Sequence, residues 1–118
     1  MKNSPQYTNF MKLAVAVEKI RRVDPSDSLS ASTVIIFLYI VQYPDRTIKE
    51  IEKLAEMSKS STSRHILNLT ERGDRARGRP GLGLVATYED SQDSRVKRAK
   101  LTQNGERLKA EIAKILNA

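Results

Sequence analysis

The sequence contains no cysteine, and its single histidine is at position 65. Disulfides, thiolate metal sites and cysteine nucleophiles are therefore excluded, and one histidine leaves little for a nitrogen-rich metal site. Aromatic residues make up only 5% of the chain, so the composition gives no basis for predicting a pocket for an aromatic effector. We expect no cofactor and no resident metal, and any small-molecule effector is unknown.

Long apolar runs are also lacking. The longest, "VIIFLYIV" at 34–41, is far shorter than the ~20 residues that span a bilayer. The opening "MKNSPQYTNF" lacks the apolar core of a signal peptide. We therefore expect a soluble cytoplasmic protein without membrane association. At 118 residues, it is expected to fold as one domain, 1–118.

Signatures of catalysis are missing as well. There is no phosphate-binding G-x-x-x-x-G-K-[ST] motif, and no Ser, His and Asp set is suggested. The stretch "GRPGLG" at 78–83 does not lie between a predicted strand and a predicted helix. We predict no catalytic residue and no enzymatic activity.

Acidic residues are the minority charge, 14 against 21 basic residues, which leaves a net charge of +7. The excess is uneven, because residues 59–79 hold six bases against two acids, and residues 95–100 hold four bases and no acid. Duplex DNA carries one negative charge per ~1.7 Å. The clusters favour a nucleic-acid partner; the alternative is a solvated basic face.

Apolar spacing predicts an amphipathic helix over 6–22, with a stripe at Phe10, Leu13, Ala14, Val17 and Ile20. Ser30 is expected to cap a second helix, whose apolar run fits the centre of a core. Thr47 and Glu50 match a capping box for a third helix, and Ser58 is expected to cap a fourth. The tight link between the last two indicates a helix-turn-helix over 47–73.

The fourth helix, in "SKSSTSRHILNLTERG" (58–73), is rich in short hydroxyls. Its predicted inner face is Thr62, Ile66 and Leu69, and its predicted outer face is Ser60, Ser61, Arg64, Leu67 and Asn68. Short hydroxyls allow close approach to base edges, while Arg and Asn side chains have the forks that read guanine and adenine. The alternative is a set of merely solvated polar positions. His65 is expected to pack or to bond a phosphate rather than bind a metal.

Gly73 is expected to end this helix. The following "DRARGRPGLG" (74–83) predicts a flexible basic loop that orders on DNA, with Arg75, Arg77 and Arg79 contacting phosphates; the alternative is a solubilising loop. Strands over 84–89 and 95–101 predict a β-hairpin, the wing, at 84–101.

Thr102 is expected to cap a final helix, 102–116, with an apolar stripe at Leu108, Ile112, Ile115 and Leu116. This stripe and the one in 6–22 could pack on each other within one chain. Because two helices have apolar stripes to cover, pairing between subunits is favoured instead, and we predict a homodimer.

The order of these elements resembles the MarR (multiple antibiotic resistance regulator) family. The likeness is carried by "TIKEIEKLAEMSKSSTSRHILNLTERG" (47–73) and by "DSRVKRAKLTQNGERL" (93–108), which is similar to the family's D-x-R followed by L-T-x-x-G. It implies a mainly α winged helix-turn-helix with a small β-hairpin and flanking dimerisation helices. The implied function is sequence-specific binding of double-stranded DNA by a homodimeric, repressor-like transcriptional regulator.

The resemblance also implies roles for residues. Ser60, Ser61, Arg64 and Asn68 would address the major groove and Lys59 a phosphate. At the wing, Asp93 and Arg95 would form a bracing ion pair beside the minor groove, and Arg95 or Arg98 would reach into that groove or contact its phosphates. The alternative function is a winged-helix interaction module that binds a protein partner, or assists replication or packaging, without regulating a gene.

Three features depart from the family pattern. Glu52 stands where a small residue is usual, and Glu56 stands where the turn glycine is usual. A non-glycine residue at such a turn is expected to be strained. The third departure is the segment 74–83, here called the insertion, which separates the fourth helix from the first wing strand.

Overall fold

The computed structural model describes residues 8–26 and 29–118. Within them the helices are α1 (Asn9–Arg21), α2 (Ala31–Gln42), α3 (Ile48–Ala55), α4 (Lys59–Leu69) and α5 (Gln103–Leu116), and the strands are β1 (Val85–Glu89) and β2 (Lys97–Leu101). A single 3-10 turn covers Arg75–Arg77. The predicted mainly α fold with one small β-hairpin is confirmed. No helix of the described residues is long and apolar enough to cross a membrane.

Hydroxyl residues begin the helices where the sequence predicts them. Ser30 and Ser58 accept the backbone N–H three residues ahead, as Thr102 does for α5. Thr47 and Glu50 form both halves of a capping box: the Glu50 N–H donates to Thr47 Oγ1 at 3.0 Å, and the Thr47 N–H donates to Glu50 Oε1 at 2.9 Å. These bonds satisfy backbone donors that a helix start leaves open.

The apolar helix α2 lies at the centre of the core and packs against α3, α4 and β2. Ile36, Phe37 and Ile40 have no exposed surface. Ile35 and Leu38, two other members of the apolar run, remain partly exposed. The described part of the chain covers only one side of this helix.

The turn between α3 and α4 is left-handed at Glu56, with φ 52° and ψ 45°. The strain expected from the missing glycine is therefore present, because an L side chain there approaches a carbonyl oxygen too closely. Met57 packs against the core immediately afterwards, and Ser58 then caps α4. The turn keeps the two helices of the motif in contact.

The terminal helices α1 and α5 pack on each other within the chain. Lys19 Nζ lies 3.4 Å from Glu111 Oε1 across this contact. Helix α1 begins at Asn9, and residues 6 and 7 of the predicted span lie outside the described residues. Ile20 is the only member of the predicted α1 stripe that is buried; the exposed members are Phe10, Leu13, Ala14 and Val17.

Candidate nucleic-acid interface

Helix α4 presents one polar, basic side to solvent. The predicted inner residues Thr62, Ile66 and Leu69 are buried. The exposed residues, here called the outer face of α4, are Lys59, Ser60, Ser63 and Arg64. Ser61 is half-buried at the edge of this face. Sequence reasoning missed Ser63, although its spacing of four residues from Lys59 places it on the same side of the helix.

Asn68 is not part of the outer face, and its predicted placement there is wrong. Its side chain is buried, at 5% exposure, and its Nδ2 donates to the backbone oxygen of Pro80 at 2.9 Å. The helix wheel could not show this, because the partner lies twelve residues further along the chain. Asn68 therefore anchors the insertion against α4 rather than facing solvent.

The insertion is folded onto the end of α4, whereas the sequence predicted an open, flexible loop. Asp74 and Arg79 form an isolated antiparallel bridge around the 3-10 turn, and Leu82 is buried. Gly81 lies so close to Glu71 that an added Cβ would meet the Glu71 oxygen at 2.1 Å. Backbone bonds from Leu82 and Gly83 to the end of α4 complete the attachment.

Gly73 does not end helix α4 as predicted. The helix ends at Leu69, with Thr70 in an extended conformation and its Oγ1 donating to the Leu67 oxygen. Gly73 is left-handed, at φ 73°, but its role is contact with the insertion: an added Cβ would lie 2.5 Å from the nitrogen of Gly81. A glycine is required here both for its φ and for space.

His65 links α4 to α2. Its Nδ1 lies 2.8 Å from Thr33 Oγ1, so the ring packs as expected. Burial, assisted by Arg64 and Arg79, lowers the pKa of His65 below its usual value, because the cationic form loses hydration and meets like charge. Among the described residues, no group of three or more potential ligands could hold a metal ion.

The wing is the antiparallel pair β1–β2, in which Val85 lies opposite Leu101. At its tip, Arg95 makes two bonds to Asp93: Nε to Oδ1 at 3.0 Å and Nη2 to Oδ2 at 3.1 Å. The guanidinium holds the pKa of Asp93 below its usual range. The expected ion pair is therefore formed, and the Arg95 side chain remains 88% exposed.

Arg98 lies in β2 near the turn of the wing, opposite Tyr88, and two of its donor nitrogens are already used. Its Nε donates to Asp90 Oδ1 at 2.7 Å and its Nη1 to the Asp45 backbone oxygen at 2.7 Å. Its side chain is 33% exposed, so it ties the wing to the turn before α3. This placement does not favour the predicted reach of Arg98 into a groove.

Between the start of α3, the outer face of α4 and the wing lies an open depression of about 650 Å³. Its cationic lining residues are Lys49, Lys59, Arg95 and Lys97, and Glu52 is its acidic one. The net positive charge of this lining suits contact with phosphates. The Ser63 hydroxyl in the same lining can hydrogen-bond a base edge that lies between them.

No protein-family model matches the sequence, and no curated protein matches it. Solved structures do match in fold. A crystal structure of MarR has a TM-score of 0.60 and 19% identity, covering 87% of this chain and 71% of that chain. A MepR–DNA complex from S. aureus has a TM-score of 0.66 and 19% identity, covering 90% and 77%.

A MarR-like transcriptional regulator from Thermotoga maritima has a TM-score of 0.59 and 23% identity, covering 92% of this chain and 72% of its own. In each case the match extends over most of the chain. The described part of this chain therefore has the winged helix-turn-helix fold of MarR-like regulators.

Proposed function

We propose that this protein binds double-stranded DNA sequence-specifically, as a homodimer, and regulates transcription by occupying promoter DNA. The observation that carries this proposal is the outer face of α4, which lies beside a basic wing around one open depression. The fold is also that of a protein solved in complex with DNA. The hydroxyl, guanidinium and ammonium groups exposed on these surfaces suit binding to DNA rather than catalysis.

The outer face of α4 is the proposed reader of the major groove. Ser60 and Ser63 are short, so the helix can approach base edges closely, and Arg64 has a fork that pairs with guanine. Lys59 lies at the start of the helix, where its charge and the free backbone donors suit a phosphate. Ser61 is half-buried and lies at the edge of the proposed DNA-contacting face. Asn68 is not proposed to contact DNA, because its side chain is buried.

The wing and the insertion supply the proposed backbone contacts. Arg95 is bonded to Asp93 but exposed at the hairpin tip, where it can meet the adjacent minor groove. Exposed Arg75 lies in a depression lined also by β1 and the end of α4, which suits a phosphate. Such contacts position a protein on DNA and do not specify sequence.

A second copy of this chain is the proposed partner for the terminal helices. Phe10 is 83% exposed and Leu13 is 57% exposed, and Leu116 of α5 is 47% exposed. Burial of such side chains is favourable by roughly 1.5–3 kcal/mol each. A two-fold dimer would space its two α4 helices for half-sites about one helical turn apart, or a multiple of that.

Selection of bound sequences from a random duplex pool at two salt concentrations tests the function. We expect one near-palindromic motif, which Arg64→Ala relaxes at particular base pairs at a cost of ~1–3 kcal/mol, whereas Lys59→Ala weakens all sequences about equally. Arg107→Ala, an exposed arginine on α5 that lines neither depression, is the matched control and should leave the motif unchanged. An unchanged motif in Arg64→Ala would show that α4 is not the reader. Binding without sequence preference, or none, would support the interaction-module alternative.

Sedimentation of Leu13→Asp tests the dimer, because an aspartate at this exposed position leaves the core intact but would bury a charge in the proposed seam. We expect a folded monomer with weaker operator binding. Ile112 is unsuitable for this test, since it is buried within the chain. A wild-type protein that sediments as a monomer at micromolar concentration, free and on DNA, would refute dimerisation.

A further inference from the structure

Folding of the insertion forms a separate, partly open cavity of about 220 Å³ on the side of α4 away from the wing depression. Its walls come from three elements: the start of α2, the middle of α4 and the insertion itself. The cavity exists because Asn68 holds the insertion in place through Pro80. Of the residues proposed above to contact DNA, Arg64 alone also lines this cavity.

The lining is strongly basic. It includes Arg64 from α4 and both Arg77 and Arg79 from the insertion. The single acid, Asp74, is buried and lies 3.3 Å from Arg77 through its Oδ2 and the Arg77 Nη1. Three guanidinium groups against one carboxylate leave an excess of two positive charges in a confined volume.

Neutral polar groups complete the lining. Thr33 is buried, and its Oγ1 lies between Ser30 Oγ at 3.0 Å and His65 Nδ1 at 2.8 Å. These hydroxyls and the imidazole also face the cavity. The two bonds between them use two of their three protons, so one donor remains for a ligand. Ser30 caps α2, so the positive end of that helix lies at the same place.

The size of the cavity limits what it can hold. At the ~30 Å³ that a water molecule occupies in the liquid, its volume corresponds to about seven waters. Drug-sized ligands occupy pockets of roughly 300–1,000 Å³, so a large aromatic effector does not fit. A tetrahedral oxyanion with a few waters does.

We propose that this cavity binds a phosphate group, held by the fork-shaped donors of Arg64, Arg77 and Arg79. Guanidinium groups suit this ligand because they can give two parallel hydrogen bonds to its oxygens. The anion is either a DNA backbone phosphate or a free phosphate group on a small molecule. The chemistry of recognition is the same for both.

The lone histidine is a direct reporter of this site. Inorganic phosphate is titrated against chloride at constant ionic strength, at about pH 7.5 and without DNA, while the His65 ring signal is followed by NMR. We expect a saturable shift in the wild type and about tenfold weaker binding in Arg79→Gln. Arg72→Gln removes the same charge outside the cavity and should bind phosphate as the wild type does.

Arg64→Gln provides a second variant, because Arg64 belongs to α4 and its loss does not disturb the insertion. It too should weaken phosphate binding. A wild-type shift that does not saturate, or one weakened equally by Arg72→Gln and Arg79→Gln, would overturn the proposal. Since no DNA is present, failure of the proposed regulatory function leaves this result unaffected.

The source of the anion is identified by measuring DNA affinity against salt without added phosphate. If a backbone phosphate fills the cavity, Arg79→Gln reduces the magnitude of the slope of log K against log salt by about 0.9. If the slope is unchanged while phosphate still binds the free protein, the ligand is a small phosphorylated molecule. Both results agree with the proposal, and the difference between them identifies the ligand as a DNA phosphate or a small phosphorylated molecule.

Discussion

Replacing Asn68 by alanine tests whether one buried amide holds the insertion on α4. The substitution removes the bond from Nδ2 to the Pro80 oxygen and leaves that carbonyl without its donor. Loss of this bond together with the packing of a side chain that is only 5% exposed costs about 1–3 kcal/mol. At ~2.1 cal/mol/K per residue of unfolding entropy, a chain of 118 residues loses about 4 °C in Tm per kcal/mol. We therefore expect Tm to fall by about 4–12 °C.

Thermal melts followed by circular dichroism measure this effect, and limited digestion with trypsin localises it. In the variant, cleavage after Arg75 and Arg77 should accelerate before the rest of the chain is cut, because a loosened insertion opens locally. Ser63→Ala, an exposed change on the same helix, is the control and should melt within about 2 °C of the wild type. An Asn68→Ala protein that melts and is digested like this control would refute the anchoring role.

Two further predictions concern single positions. Glu56→Gly should raise the free energy of unfolding by about 0.5–1 kcal/mol in urea titrations, since glycine tolerates the left-handed turn; no gain would mean that the turn is not strained. The pKa of His65 is lowered from 6.5 in the folded chain by burial and by Arg64 and Arg79, so protonation favours the unfolded state. Stability should therefore fall as pH drops from about 7.5 to about 5.5, with Asp74 and Arg77 also facing this ring across the cavity. His65→Gln should flatten that decline, and an equally steep decline in the variant would contradict the assignment.

Local signals explain why most of the fold could be predicted from the sequence. Each capping hydroxyl accepts a backbone N–H three residues ahead, so the helix start can be predicted from the adjacent sequence. The capping residues are Ser30, Thr47, Ser58 and Thr102. The strands were predicted one or two residues too long at their N-terminal ends: they begin at Val85 and Lys97. Strand ends depend on the partner strand and the turn rather than on composition alone.

The candidate site was less predictable because its corrections depend on distant contacts. Asn68 has the polarity and approximate wheel position of a groove-facing residue, yet its partner Pro80 lies in a segment whose arginines and glycines predict disorder. Arg98 is likewise occupied by Asp45, 53 positions earlier in the chain. Neither contact has a local signature, and both withdraw a polar side chain from the surface.

The proposed dimer illustrates a different limit of prediction from the sequence. The apolar stripes of both terminal helices are visible in the sequence. The spacing of these residues does not show which of them pack within the chain and which remain exposed for a second copy. Ile20 and Ile112 are buried within the chain, whereas Phe10 and Leu13 are not. Only the packing of α1 on α5 separates these two groups.

The wing is fixed to the rest of the fold through its strands, which separates its folding from the variability of its turn. Close to the turn, Tyr88 donates to Asp45 and Arg98, opposite Tyr88, bonds both Asp45 and Asp90. The hydrogen bonds of the tip, by contrast, stay inside the hairpin, as between Asp93 and Arg95. Residues 91–95 can therefore be exchanged for another short sequence without loss of a core contact, which makes the tip a natural position for grafting new specificity or a spectroscopic label.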